Sequence, residues 1–260
     1  MPARYEEIAA DLQKKIKAGE LKPGQRLKTE KELMAEYGSA RNTVRDAINR
    51  LKVLRMVESR QGSGNFVVKQ PEPFKITLTP EKETGFSGGE GEAWTTEASK
   101  QGRDAWVSST KVLIEQADEV QSRELGINEG EDLILRHQRR YITGEADEDV
   151  PWSMQTSYYP FSFVERGATA LMKRQDIEEG TMAYLEEKLG IRQDRYTDTL
   201  GIRPPDEDER DFFKLPAESS VWVYEHKRTV YDTDDVPCRY TVTVYPTDRN
   251  EFVIEARLPR

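Results

Sequence analysis

Apolar residues recur at helical spacing from the start of the chain. Tyr5, Ile8, Ala9, Leu12 and Ile16 follow an i, i+3, i+4, i+7 pattern, which predicts a helix over about Arg4 to Ala18, ended by Gly19. Leu21-Lys22-Pro23-Gly24 reads as a turn, and Thr29-Glu30-Lys31-Glu32 then has the form of a capping box opening a second helix, about Glu30 to Tyr37. That helix stops at Gly38, and a third begins within two residues. Over Ser39 to Leu54 the residues Val44, Ala47, Ile48, Leu51 and Leu54 make one apolar stripe, opposite Arg41, Asn42, Arg45, Asn49 and Lys52. After Leu54 the period changes from helical to alternating. Met56 to Arg60 and Asn65 to Val68 read as short strands joined by Gln61-Gly62-Ser63-Gly64.

The pattern breaks at Gln70-Pro71-Glu72-Pro73, and G-F-S-G-G-E-G-E follows within Pro80 to Glu92, too small and polar to build a core. Residues 69–92 are therefore expected to be a linker carrying one short strand at Phe74 to Leu78. From Trp94 onward strands and helices interleave. Strands are expected at Ala105 to Glu115, Asp132 to Tyr141, Trp152 to Tyr159, Tyr196 to Arg203, Val221 to Tyr231, Arg239 to Tyr245 and Phe252 to Leu258. Helices are expected at Ala117 to Leu125, Thr181 to Leu189 and Asp206 to Phe213. Short turns between neighbouring strands imply hairpins, hence an antiparallel α+β domain. The expected organisation is 1–68, a linker 69–92, and 93–260.

Charge changes this picture more than composition does. The chain has a net charge of -9, yet residues 1–70 hold 15 Lys+Arg against 9 Asp+Glu, a net of +6, which leaves -15 on the remainder. A basic module joined to an acidic one suits a nucleic-acid head attached to a domain that does not bind nucleic acid. The third helix carries the matching donors: Arg and Lys pair with phosphate oxygens or guanine edges and Asn with adenine edges, as a helix in a DNA major groove requires. No apolar run is long enough to span a bilayer, and Met1 to Ala10 lacks the apolar segment of a signal peptide. The single Cys238 fits a reducing, cytoplasmic setting, and His137 and His226 are too few for a zinc site, so all three are expected to be structural. No nucleophile elbow, phosphate loop or dinucleotide fingerprint occurs, so neither a cofactor nor a catalytic or metal site is expected. The acidic runs Glu145 to Asp149 and Asp206 to Glu209 read as solvated surface, the second also suiting a helix start.

The segments Y-E-E-I-A-A-D-L-Q-K-K-I-K-A-G-E-L-K-P-G-Q-R-L-K-T-E-K-E-L, R-N-T-V-R-D-A-I-N-R-L and R-Q-G-S-G-N-F-V together resemble the winged helix-turn-helix of GntR-family bacterial transcription regulators over residues 4–68. The resemblance implies DNA contacts from Lys31, from Arg41, Asn42, Thr43 and Arg45, and from Gln61 and Gly62 in the wing, beside Arg60 at its base. Three positions depart from the family pattern. Lys28 stands in place of Pro, Arg55 in place of the Gly that commonly closes the third helix, and Ala40 in place of the Ser or Thr that caps it. Either Ser39 takes over the capping or the helix start is left looser.

L-I-L-R-H-Q-R-R-Y, P-W-S-M-Q-T-S-Y-Y-P, G-T-M-A-Y-L-E-E-K-L-G and P-C-R-Y-T-V-T-V-Y-P-T-D-R-N-E-F resemble the UTRA ligand-sensing domain of the HutC-like branch, which has a chorismate-lyase-like fold. That resemblance implies an effector whose acidic group meets Arg140 and the helix start at Thr181. Strand alternation puts Arg136, Gln138 and Arg140 on one face, opposite His137, Arg139 and Tyr141. It likewise groups Arg239, Thr241, Thr243 and Tyr245, a face that either lines the site or meets water. Gln138, Arg239, Thr241 and Tyr245 join the candidate site on this ground. Arg239 also departs from relatives that bind amino-sugar phosphates, which carry an acid nearby.

The expected function is a homodimeric repressor that binds a pseudo-palindromic DNA operator and is released by a small organic effector, with no membrane partner. A constitutive autoregulator with a non-sensing second domain and a chorismate-lyase-like enzyme fused to a DNA-binding head are the alternatives.

Overall fold

The computed structural model describes residues 3–60, 62–68, 73–78, 90–144, 148–215 and 221–254. The chain divides into two compact units, Met1–Glu72 with Leu215–Val221, and Pro73–Lys214 with Trp222–Arg260.

In the first unit α1 spans Arg4–Lys17, α2 Glu30–Tyr37 and α3 Arg41–Val53, followed by the hairpin β1 (Val57–Arg60) and β2 (Gly64–Val67). The stripes meet as their spacing requires: Ile8 and Leu12 of α1, Leu33 of α2, and Val44, Ile48 and Leu51 of α3 form one buried cluster. Thr29 caps α2, its side chain accepting from the Glu32 amide while Glu32 returns a bond to the Thr29 amide at 2.7 Å. The Tyr37 hydroxyl donates to Asp11 at 2.6 Å and meets Lys15 Nζ at 3.2 Å, which ties α2 to α1. The wing gains a third strand-like segment that the pattern did not signal. Gly24 N donates to Val67 O and Leu27 N to Asn65 O, each at 2.8 Å, and Val67 N returns a bond to Gln25 O. Gly64 takes φ 109°, a backbone conformation that favours glycine, and the Arg26 guanidinium lies close above it, its Nε 2.9 Å from where a Cβ would be.

The second unit is a sheet of seven strands: β4 (Ala105–Val107), β5 (Lys111–Gln116), β6 (Asp132–Thr143), β7 (Asp149–Pro160), β8 (Gln193–Arg203), β9 (Val223–Asp232) and β10 (Pro237–Pro246). The order is β4-β6-β7-β10-β9-β8, with β5 continuing the β4 border against β6, and every pairing is antiparallel. The single strand expected over Ala105 to Glu115 is thus two, broken at Ser108-Ser109-Thr110. Helix α5 (Glu119–Leu125) and helix α8 (Glu207–Phe212) accompany helix α7 (Thr181–Leu189), close to expectation. The short helix α6 (Ser162–Glu165) and a 3-10 turn at Thr169–Met172 carry no clear periodicity and were not expected.

Within the stretch expected as linker the short strand appears where expected, Phe74–Thr77 (β3) pairing in parallel with Asn250–Val253 (β11), while helix α4, not expected, begins at Glu90 and runs to Lys100. Phe74 packs 4.6 Å from Trp94 and 6.3 Å from Trp152, and Trp152 donates to Asn250 at 2.8 Å. Burying these large rings offsets the weak local propensity of a Gly-rich neighbourhood. The remainder of 69–92, Glu145 to Asp147, and the part of the last expected strand beyond Ile254 lie outside the described residues. Among the described residues no helix is long and apolar enough to cross a membrane.

Candidate DNA interface and effector site

Helix α3 presents Arg41, Asn42 and Arg45 to solvent, with Thr43 half-buried. Ala40 offers its first amides no side-chain cap. Ser39 does not compensate: its hydroxyl donates to Tyr37 O at 3.1 Å and accepts from Arg4 at 3.4 Å. The helix start is therefore left with free amides and the positive end of its dipole, a favourable place for a phosphate. Glu30, the first residue of α2, accepts from Arg41 Nε at 2.7 Å and lies 3.7 Å from Arg45 Nε. Both guanidiniums are thereby held on one side of the helix. Lys31, next to Glu30 on α2, is exposed.

In the wing, Arg60 lies 4.5 Å over the Phe66 ring and donates to Glu58 at 2.8 Å. Gly62 is exposed at φ 70°, with open space where a Cβ would be. Gln61 falls outside the described residues. Arg55 takes the left-handed conformation at φ 55° that a glycine would adopt without strain, so the departure changes the residue and not the backbone.

In the sheet the face shared by Arg136, Gln138 and Arg140 is buried, not solvated. Register brings the strands into rows on it. Arg136, Ser157, Thr241, Arg228 and Asp198 form one row, and Gln138, Gln155, Thr243, His226 and Leu200 form the next. Arg140, Ser153 and Tyr245 belong to a third row, and Arg239 lies beyond the first, level with Val230. The alternative that Arg239, Thr241, Thr243 and Tyr245 meet water is excluded, since each is at most 9% exposed.

These side chains have different duties. Arg136 donates to the carbonyls of Leu171, Lys173 and Gln175, so it fastens the segment that leads into α7. Gln138 donates to Thr110 at 3.0 Å, and Ser157 and Thr241 share a hydrogen bond of 3.1 Å. Arg140 donates to Gln155 and lies 5.7 Å over the Trp94 ring. Arg228 grips Asp198 through two bonds of 2.6 Å, and His226 adds a third at 2.9 Å. Burial alone would raise the Asp198 carboxyl, but these donors outweigh it and hold it at about 2. Thr181, 2% exposed, is the first residue of α7, whose N-cap Gly180 supplies no side-chain acceptor.

Three polar atoms on this face stand out. Gln138 Oε1, Ser153 Oγ and Arg136 Nε are buried and have no hydrogen-bond partner among the described residues. Such groups cost about 1–3 kcal/mol each unless a ligand or water satisfies them. Ser153, Gln155, Thr110 and Trp94 were not expected at the site. The first two follow from strand alternation once the β6–β7 register is known, whereas Thr110 and Trp94 come from a break and a helix that carried no signal. Thr181 and Arg239 lie toward the apolar cluster of Ile134, Val230, Tyr184 and Leu185, and Arg140 lies toward Trp94. The opposite face carries an open groove of about 390 Å³ lined by His137, Thr156, Val242, Lys227, Glu225 and Arg203. There Arg203 pairs with Glu209 and Glu225, and Lys227 with Glu225. Glu209, expected as solvated surface, is instead 4% exposed, because Arg203 binds it and it closes a capping box with Asp206. Cys238 is buried, its thiol 3.4 Å from Val230 O and pushed up to about 11 by burial.

Residues 4–67 match the family described as bacterial regulatory proteins, gntR family, and residues 100–251 match the UTRA domain. The chain is 25% identical over 258 residues to the probable transcriptional regulator PhnF of Escherichia coli, covering 98% of this chain and 95% of that one. It is 41% identical over 81 residues to the mannosyl-D-glycerate transport/metabolism system repressor MngR of the same organism, a match covering 30% of this chain and 34% of MngR. Among solved structures, a putative GntR-family transcriptional regulator superposes with a TM-score of 0.71 at 21% identity, covering 99% and 98% of the two chains. PhnF from Mycobacterium smegmatis gives 0.57 at 22% identity, covering 97% and 100%. With a winged helix that offers Arg41, Asn42 and Arg45 and a sheet domain of matching fold, the chain belongs to the GntR family of bacterial transcription regulators, in the HutC-like arrangement of a DNA-binding head followed by a UTRA ligand-binding domain.

Proposed function

We propose that the protein is a homodimeric repressor that reads an inverted-repeat operator through Arg41, Asn42, Thr43 and Arg45, with Lys31 and the wing residues Arg60, Gln61 and Gly62 on the backbone. Two-fold symmetry in the protein calls for a pseudo-palindromic site. MngR is a repressor by name and resembles this chain over 81 residues, which supports the sign of regulation. The effector is a small organic anion with hydroxyl or amide groups, held at the Trp94 end of the face by Arg140, Gln138 and Tyr245; Arg239, six residues from Tyr245 along the same strand, and Thr181 lie toward the other end, about 20 Å away, beyond the span of one small molecule. The observation carrying this is that Gln138 Oε1 and Ser153 Oγ, both next to Arg140, are buried without a partner on a face rich in Arg, Ser and Thr. A guanidinium fork favours a carboxylate or phosphate. Residues 1–68 act as the head, the segment 69–92 as the connection and 93–260 as the sensing part. A coupling of about 1–3 kcal/mol between effector and DNA would change operator affinity by about 5–150-fold.

Selection of binding sites from random DNA, repeated with a cell metabolite extract present, tests the whole reading. An inverted repeat recovered without extract and lost with it is the expected result. Recovery of a single half-site would overturn the dimeric operator, and selection indifferent to every extract would overturn effector control.

A further inference from the structure

β5 forms one border of the sheet, and its backbone bonds can be assigned. Lys111, Leu113 and Glu115 are opposite His137, Leu135 and Leu133, and the same ladder ends with Ala117 N donating to Glu131 O at 2.8 Å. Hydrogen-bonded pairs alternate in an antiparallel ladder, so these odd residues bond to β6 while Val112 and Ile114 turn their amides and carbonyls out of the sheet. The same border exposes two aliphatic side chains, Leu113 at 42% and Ile114 at 49%. An exposed aliphatic edge strand is a template for another strand. At its upstream end the Thr110 amide is already taken by Arg174 O at 3.1 Å, which limits the open stretch to β5 itself. The far border differs, because Tyr196 of β8 donates to Leu78 O at 3.4 Å, so Leu78 lies against it.

We propose that β5 pairs with β5 of a second copy, antiparallel about a two-fold axis passing through Leu113; this rests on the homodimer reading above and names its seam. An axis normal to the sheet keeps matching faces together, so opposed residues must share a face and the axis must pass through a residue. Through Leu113 the pairing is self-complementary. Lys111 of each copy opposes Glu115 of the other, Val112 opposes Ile114, and Leu113 meets its counterpart. Val112 and Ile114 are the residues with outward backbone groups, so they supply the hydrogen-bonded pairs. Glu115 is steadied on its face by a 3.1 Å bond from Gln121. Moving the axis to Ile114 would set Leu113 against Glu115 and Lys111 against Ala117, and moving it to Val112 would set Lys111 against Leu113. Both lose the ion pairs and oppose a charge to an apolar side chain.

The full-length chain with Leu113→Cys tests the seam. Counterparts in a non-hydrogen-bonded pair have Cα atoms about 4.5 Å apart, within the range of about 4.4–6.8 Å that a disulfide spans. Mild oxidation is expected to give a covalent dimer, whereas Leu200→Cys on β8 stays uncrosslinked. In sedimentation equilibrium Lys111→Glu should raise the dimer dissociation constant about tenfold, and adding Glu115→Lys should restore it. A dimer that neither crosslinks at position 113 nor responds to the charge reversals overturns the β5 seam and leaves the homodimer standing. A monomer at concentrations that saturate operator DNA overturns both.

Discussion

Glu30 Oε2 accepts a hydrogen bond from Arg41 Nε at 2.7 Å, so the first residue of α2 holds the first residue of α3. The pair is exposed, Arg41 at 70% and Glu30 at 30%, and such pairs contribute about 0–1 kcal/mol. A phosphate can therefore displace Glu30 at little cost, and the carboxylate acts as a placeholder for the anion. Glu30→Gln is expected to strengthen DNA binding about two- to fivefold in a titration at moderate salt. Weaker binding would show that Glu30 is needed to aim the arginines.

Arg45→Ala removes a donor from the exposed side of α3 without touching its buried stripe. Loss of one base-reading side chain costs about 1–3 kcal/mol, so operator affinity should fall about 5–150-fold while the oligomeric state is unchanged. An intact footprint at moderate salt would move the reading head elsewhere.

Ser153 separates a ligand role from a structural one. Its hydroxyl is fully buried without a partner among the described residues, so Ser153→Ala removes an unmet polar group. Stability without effector should hold or rise by about 1 kcal/mol, while the effector concentration needed to release DNA should increase. Arg140→Ala should abolish release and leave DNA affinity without effector unchanged. An unaltered dose response in both variants would place the effector away from this face.

Arg55 holds a left-handed backbone at φ 55°, a conformation that costs a residue with a Cβ about 1 kcal/mol. Arg55→Gly should stabilise the first unit by up to about 1 kcal/mol, read as a rise in its calorimetric transition. A lowered transition would show that the side chain holds more than the backbone loses.

Two acid limbs are expected in the second unit, and its tryptophans report them, since Trp94, Trp106, Trp152 and Trp222 all belong to it. Burial, with Arg139 and Lys111 nearby, lowers His137 to about 4. The unfolded chain then binds more protons between about 6.5 and 4, so stability is full above that window and falls as pH drops through it. Asp198, held at about 2, contributes stability that is full above about 4 and is lost as pH falls toward 2. Urea denaturation followed by fluorescence should show His137→Gln flattening the first limb and Asp198→Asn the second. Unchanged limbs would assign the acid sensitivity to other groups.

Helices α1 to α3 were legible because a small unit has one core and each helix has one way to face it. The stripes of Ile8, Leu33 and Val44 leave a single arrangement, and the capping box at Thr29 fixes where α2 starts. The shared face of Arg136, Gln138 and Arg140 was also legible, since alternation along one strand is a local property, although its burial was not. Helix α4 was not, because Trp94 is held by Phe74 and Trp152, residues far from it in sequence. The same holds for the bond from Gln138 to Thr110, which spans a strand break without periodicity.

By itself the sequence determined which residues share a face, where the helices of the first unit start, and that a basic module precedes an acidic one, for these follow from spacing and side-chain chemistry. Only the tertiary structure decided what those faces meet. Strand register set Ser153 and Gln155 beside Arg140 and Gln138, and Asp198 beside Arg228 and His226. Each of these depends on contacts between segments distant in the chain, whose free energy is gained only once the sheet has closed around them.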